Sequence, residues 1–318
     1  MATALIGLAT VFVFVCGAND GGALLALALR QREAGSVVMI GMLLAAIVAG
    51  PALFGLAVAR TFTDRLVTTQ ERGGQLVVAL GVLVAVLLVL GFTWRGVPTS
   101  VTLAVVGALG GAGLGLGSAP SWTALGQMLA IGAAAPLVGG GLGYLVGRLA
   151  RRAPTTGRLP SALRLAQIAA YGGQCLAYAA NDGQKMFAVA GVALAAAHAG
   201  PLDLPVLLLL ATVFAAGALT SVRRLARGNT FNLAPARPWQ VVSAEVASSA
   251  AVFGTAGFGM PVSMTQSVAA GLVGAGASQG ARRVRWQFAV PVLTSWLVTL
   301  PACFGAAALA GLLVTVLT

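Results

Sequence analysis

Apolar residues run through the chain in ten long blocks, at 2–29, 37–58, 74–93, 98–118, 123–147, 163–197, 203–220, 239–258, 261–280 and 287–317, divided by short polar breaks. A membrane-spanning helix needs about 20 mainly apolar residues, so each block reads as one crossing. The first and sixth blocks are too long for a straight crossing. At 1.5 Å per residue, a 28-residue helix over 2–29 reaches about 42 Å, against a hydrocarbon core of about 30 Å. Each also carries an Asn-Asp pair, and both are predicted to be tilted or broken helices. The blocks opening at Pro98 and Pro261 are rich in glycine and hydroxyls and are predicted to be discontinuous as well. The expected fold is an all-α polytopic membrane protein of about ten transmembrane segments.

Composition agrees. Charged residues make up 8% of the 318 positions, whereas a soluble domain carries about 25%, and mean hydropathy is +0.95. The 43 glycines suit close helix packing in lipid. Cys16, Cys175 and Cys303 lie far apart in apolar runs without metal-ligand spacing, so they read as inert. The opening MATALIGLAT lacks a basic leader region, and no cleavable signal peptide is predicted.

The net charge of +12 is distributed as a topology signal rather than as a nucleic-acid surface, because basic residues cluster between blocks and are not interleaved with aromatics. If all ten blocks cross and the N-terminus is outside, 15 of the 19 basic residues fall in inside loops, among them Arg30, Arg32, Arg95, Arg151, Arg158, Arg237 and Arg283. Arg60, Arg65 and Arg72 remain outside, offset by Asp64 and Glu71. Treating the blocks at 98 and 261 as re-entrant would put the arginine-rich linker outside, against the positive-inside rule. Both termini are therefore expected outside.

The chain also matches itself. Gly17-Ala18-Asn19-Asp20-Gly21 aligns with Ala179-Ala180-Asn181-Asp182-Gly183, and Pro98-Thr99-Ser100-Val101-Thr102 with Pro261-Val262-Ser263-Met264-Thr265, at offsets of 162 and 163. Five spans per half is an odd number, so the halves enter the membrane from opposite sides: an inverted-topology repeat, as in many secondary transporters. The predicted organisation is a first repeat at 1–149, a cytoplasmic linker at 150–162 and an inverted second repeat at 163–318.

The repeated motifs carry the chemistry. A carboxylate in hydrocarbon is costly and calls for a cation, a proton or a partner. Asp20 and Asp182, flanked by Asn19 and Asn181, are the candidate cation site, with Na⁺ at Asp20 and Asp182 one form of it. The bland alternative is capping of a helix end. Ser100, Thr102, Ser263 and Thr265, with Thr99 accessory and Ser267 a weaker candidate, offer hydroxyls beside helix starts, which suit a tetrahedral oxyanion. Helix packing through Ser and Thr is the alternative there. Lys185, the sole lysine, pairs with a carboxylate or helps draw in the anion, the bland alternative being snorkelling to an interface, and its neighbour Gln184 is a further accessory candidate. Glu245 aligns with Val82 and reads as a proton site or a packed neutral acid. His198 reads as interfacial. The glycine run at 107–117 follows no strand, so helix packing is expected rather than dinucleotide binding.

GAND at 17–20, AANDGQK at 179–185, GMPVSMT at 259–265 and VRWQFAVPVLTSWLVTLP at 284–301 resemble, in order, the signatures of the inorganic phosphate transporters of the PiT type. The resemblance covers nearly the whole chain. It implies symport of inorganic phosphate with Na⁺ or H⁺, with Asn19, Asp20, Asn181 and Asp182 serving the cation and Ser100, Thr102, Ser263 and Thr265 the phosphate. It also implies no further cofactor, a bacterial plasma-membrane location and, together with the small-residue faces, a homodimer. The chain departs from the family pattern of P-x-S-T-T-H: Val101 and Met264 replace a hydroxyl, Leu103 and Gln266 a histidine, and Ala23 an asparagine in the first motif. Sulfate or another oxyanion is therefore the alternative substrate, and a non-transporting membrane sensor a further alternative. With no nucleotide motif and no nucleophile-and-base pair, neither an ATP-driven pump nor an enzyme is expected.

Overall fold

The computed structural model describes residues 1–29, 35–67, 72–95, 99–152, 159–227 and 237–317. The expectations placed on Arg30, Arg32, Glu71, Pro98 and the linker centre at 153–158 lie outside the described residues. All regular structure among the described residues is helical. Six helices are long and apolar enough to cross a bilayer: Ala2–Leu29, Ser36–Phe54, Gly73–Trp94, Trp122–Ala150, Leu204–Val222 and Trp286–Leu317. Their outer faces expose leucines such as Leu137, Leu297 and Leu313, while polar side chains collect inside. That is the arrangement a hydrocarbon solvent demands.

The first block forms α1 (Ala2–Cys16), a π-helical turn (Gly17–Gly21) and α2 (Gly22–Leu29). Gly17 keeps helical dihedrals, φ −57° and ψ −49°, so the expected break is an expanded turn within one helical path. Such π turns leave backbone groups displaced from the regular ladder and occur at functional sites. The second Asn-Asp pair is a true break. Helix α8 (Leu159–Ala180) stops, Asn181–Gly183 turn, and α9 (Gln184–Ala196) restarts.

The remaining long elements are α3 (Ser36–Phe54), α5 (Arg72–Trp94), α6 (Val101–Gly115), α7 (Trp122–Ala150), α10 (Leu204–Arg227), α11 (Pro238–Ala256), α12 (Met264–Ala277) and α13 (Trp286–Leu317), with the one-turn α4 (Ala57–Arg60) after α3. Helices α6 and α12 are short and begin deep inside: Ser100 and Ser263, their N-cap residues, are both buried after an extended approach. The contacts recur in pairs. Helix α6 packs on α13 and α12 on α7; α5 packs on α6 as α11 does on α12.

Glycine makes the tightest of these crossings. Gly107, Gly111 and Gly115 lie four residues apart on the face of α6 toward α13, where added Cβ atoms would stand 2.5, 2.1 and 2.3 Å from the carbonyl oxygens of Leu300, Phe304 and Ala308. Gly274 of α12 would meet the Gly140 carbonyl of α7 at 1.9 Å. The glycine run at 107–117 is thus helix-packing surface, as expected, because only small residues let backbones approach this closely.

One segment is more ordered than a loop. Arg60–Arg65 reads as an outside loop in sequence, yet α4 and a π-helical stretch at Thr61–Leu66 fold back with Thr61, Phe62 and Leu66 buried. Gly55, at φ +67°, permits the reversal after α3. The Thr61 hydroxyl then donates to the Gly259 carbonyl at 2.7 Å, joining residues 198 positions apart.

Candidate functional site

The π turn, the Asn181–Gly183 break and the N-termini of α6 and α12 meet in the interior. Asp182 sits at the start of α12, where its Oδ2 accepts from the Met264 N–H at 3.0 Å. A carboxylate there is favoured by the unpaired N–H groups and by the helix dipole. Its Oδ1 accepts from the Thr102 hydroxyl of α6 and from the Lys185 ammonium. Lys185 also donates to Asp20 Oδ2 at 2.6 Å and to Thr102 Oγ1 at 3.2 Å. Asp20, Thr102, Asp182 and Lys185 are each at most 3% exposed. Two buried carboxylates and one ammonium leave a single net negative charge in a low-dielectric space. The ammonium relieves the repulsion that would otherwise oppose ionising both acids.

The asparagines hold this geometry by backbone contacts. Asn181 Nδ2 donates to the Met260 carbonyl at 2.9 Å and to Thr255 Oγ1 at 3.0 Å, while its Oδ1 accepts from the Val262 N–H at 3.0 Å. One amide thus fixes the extended approach to α12. Asn19 Nδ2 donates to Asp20 Oδ1 at 2.8 Å and more weakly to the Thr99 carbonyl at 3.4 Å. Gln184 works as a brace: its Oε1 accepts from the Ala59 N–H at 3.0 Å and its Nε2 donates to the Ala180 carbonyl at 2.7 Å.

The hydroxyls differ in what they touch. Ser100 Oγ accepts from the Leu103 N–H at 3.2 Å and caps α6. Ser263 makes no such cap; its Oγ lies 3.0 Å from Thr265 Oγ1. The buried hydroxyls of Thr99 and Ser267 have no partner among the described residues. Thr102 bonds Asp182 and Lys185 rather than standing free. The structure therefore gathers all eight residues of the two duplicated motifs around α6 and α12, and sets the Lys185 ammonium against both carboxylates rather than at an interface. Glu245 is buried in α11 with both carboxyl oxygens unpartnered among the described residues. His198 is exposed just beyond α9.

Three contributors went unnoticed in the sequence. Thr61 and Ala59 sit in the segment expected outside, and Thr255 is one of four hydroxyl residues in α11, with Ser243, Ser248 and Ser249. Their only advance signal was Thr61-Phe62-x-x-x-Leu66, an apolar spacing that fits a buried helical face.

A family model described as the phosphate transporter family matches residues 16–307. The chain belongs to the phosphate transporter family. Among its relatives is the "Probable low-affinity inorganic phosphate transporter" of Bacillus subtilis strain 168, 28% identical over 256 residues, which cover 77% of this chain and 76% of that protein. A protein of the same name from Mycobacterium bovis is 31% identical over 316 residues, covering 92% and 72%. A solved structure called "The sodium-dependent phosphate transporter" superposes with a TM-score of 0.79 at 16% identity, over 100% of this chain and 99% of that one. That likeness establishes a shared fold. As a member of the phosphate transporter family, the chain is a multi-pass membrane protein and a transporter rather than an enzyme.

Proposed function

We propose that this chain imports inorganic phosphate into the cytoplasm by symport with a cation, as two inverted five-span halves, 1–149 and 163–318, joined by a cytoplasmic linker at 150–162. The observation that carries the reading is the convergence of both Asn-Asp pairs with the buried N-termini of α6 and α12 in one place. The paired contacts of α6 with α13 and of α12 with α7 support the two-fold arrangement.

In this reading Asn19, Asp20, Asn181 and Asp182 form the cation-responsive part of the site, and Ser100, Thr102, Ser263 and Thr265 the phosphate part, with Thr99, Gln184 and Lys185 accessory. Helix N-termini attract an anion through free N–H groups and the dipole. Neutral hydroxyls add donors without holding the anion by full charge, so it can leave again. Positive charge beside Asp20 and Asp182 removes the repulsion that would keep phosphate away. Rocking of one bundle against the other then presents the site to the cytoplasm. Arg148, Arg151 and Arg152, clustered with Ser278 around one cavity, suit a cytoplasmic face and support the reading in which both termini lie outside. A plasma-membrane homodimer completes the proposal.

The test is labelled-phosphate uptake into proteoliposomes under an imposed Na⁺ or H⁺ gradient, with excess unlabelled sulfate and with Asp182→Asn alongside. Gradient-driven uptake that ignores sulfate and is lost in the variant supports phosphate symport. Uptake of labelled sulfate instead of phosphate would assign the missing hydroxyls at Val101 and Met264 a change of substrate, and no uptake of either would point to a sensor.

A further inference from the structure

We infer that the Lys185 ammonium is a tethered cation that fills the position between Asp20 and Asp182, so that no sodium ion binds there and uptake by this chain does not need sodium. Lys185 is the second residue of α9, and helical side chains lean back toward the N-terminus of their helix. The chain therefore delivers the ammonium into the Asn181–Gly183 break. There it meets Asp20 Oδ2 at 2.6 Å, Asp182 Oδ1, and Thr102 Oγ1 at 3.2 Å. An ammonium has three protons and no acceptor, so these three oxygens satisfy it completely.

Two carboxylates and a hydroxyl are also what a hard cation would seek. The second oxygen of each acid is already engaged, Asp182 Oδ2 by the Met264 N–H and Asp20 Oδ1 by Asn19 Nδ2. A sodium ion would have to displace the ammonium or sit within a few ångströms of its charge. In a buried site that charge weakens binding of a second cation on the order of a hundredfold or more. Lys185 is 1% exposed and cannot swing into water without leaving both carboxylates unpaired. The inference deepens the transport reading, and rests on it for the consequence for uptake but not for sodium binding itself.

Two measurements separate the two. Calorimetric titration of the purified full-length protein with NaCl, against choline chloride, reads binding directly. The wild type is expected to show no saturable sodium binding, and Lys185→Gln to acquire it. Phosphate uptake into proteoliposomes is expected to change less than about twofold when choline replaces sodium for the wild type. Saturable sodium binding by the wild type, or uptake that rises tenfold or more with sodium, overturns the inference. Both wild-type measurements stand even where Lys185→Gln does not fold. If phosphate enters under no condition, the transport reading fails while the titration still decides whether the ammonium holds the place of sodium.

Discussion

The Asp182 carboxylate accepts the Met264 backbone N–H at 3.0 Å, which seats an acid of the α8–α9 break on the first turn of α12. The same acid also receives the Thr102 hydroxyl and the Lys185 ammonium. It is therefore the point where both halves and both motif types are tied together.

Replacing Asp182 by Asn keeps the shape but removes the charge. Lys185 keeps Asp20 as its ion-pair partner, so the buried cluster is weakened rather than broken outright, a smaller loss than the about 3–5 kcal/mol of a complete break. Asp182→Asn is expected to cut phosphate uptake more than about tenfold, equivalent to roughly 1.4 kcal/mol, and to lower thermal stability. Uptake assays on protein that elutes as a single folded species check this. Wild-type uptake in that variant would sink the assignment.

Asn181→Ala removes the amide that holds Met260, Val262 and Thr255 together. A buried donor or acceptor left unmet costs about 1–3 kcal/mol. The expected outcome is a lower melting temperature together with a raised KM for phosphate, because the approach to Ser263 loosens. A shift in melting temperature without any change in KM would separate the asparagine from the anion site.

Ser100 and Ser263 align in the repeat yet do different work. Ser100 caps its helix through the Leu103 N–H, whereas Ser263 bonds Thr265 instead. Ser100→Ala is accordingly expected to lower stability by about 1 kcal/mol. Ser263→Ala is expected to raise KM with little change in melting temperature. Denaturation and uptake curves on the pair distinguish these outcomes; identical profiles would refute the division of labour.

Glycines on α7 give a packing test within one helix. A Cβ at Gly143 would stand 2.4 Å from the Gly271 carbonyl, while one at Gly141 meets nothing within 4 Å. Gly143→Ala should push α7 away from α12 and reduce the yield of folded protein. Gly141→Ala should be neutral or slightly stabilising, since alanine is the better helix former by about 0.8–1.0 kcal/mol. Fluorescence-detected size-exclusion chromatography of both variants is sufficient.

Much of this protein was legible in its sequence because the solvent around it is hydrocarbon. Every backbone polar group must then be met within a helix, so long apolar blocks can only be helices, and a charged residue inside one must have a purpose. The duplicated Asn-Asp and P-x-S-x-T motifs marked the site for that reason, and the glycine spacing at 107, 111 and 115 marked a packing face. What the linear chain could not decide is which groups face one another. Lys185 lies three residues from Asp182, but 165 residues separate it from Asp20, and only the crossing of the first block with the α8–α9 break brings them together. Nor does the sequence distinguish a π turn at Gly17–Gly21 from a break at Asn181–Gly183, since the same Asn-Asp pair serves both. The segment after residue 58 reads as a loop because its charges are visible along the chain, while the partners that pack its other side, Gln184 and Gly259, lie in the second half of the sequence. Local chemistry is written in the residues; the pairing of distant polar groups is set by how the helices pack, and it is that packing which places a lysine between two aspartates.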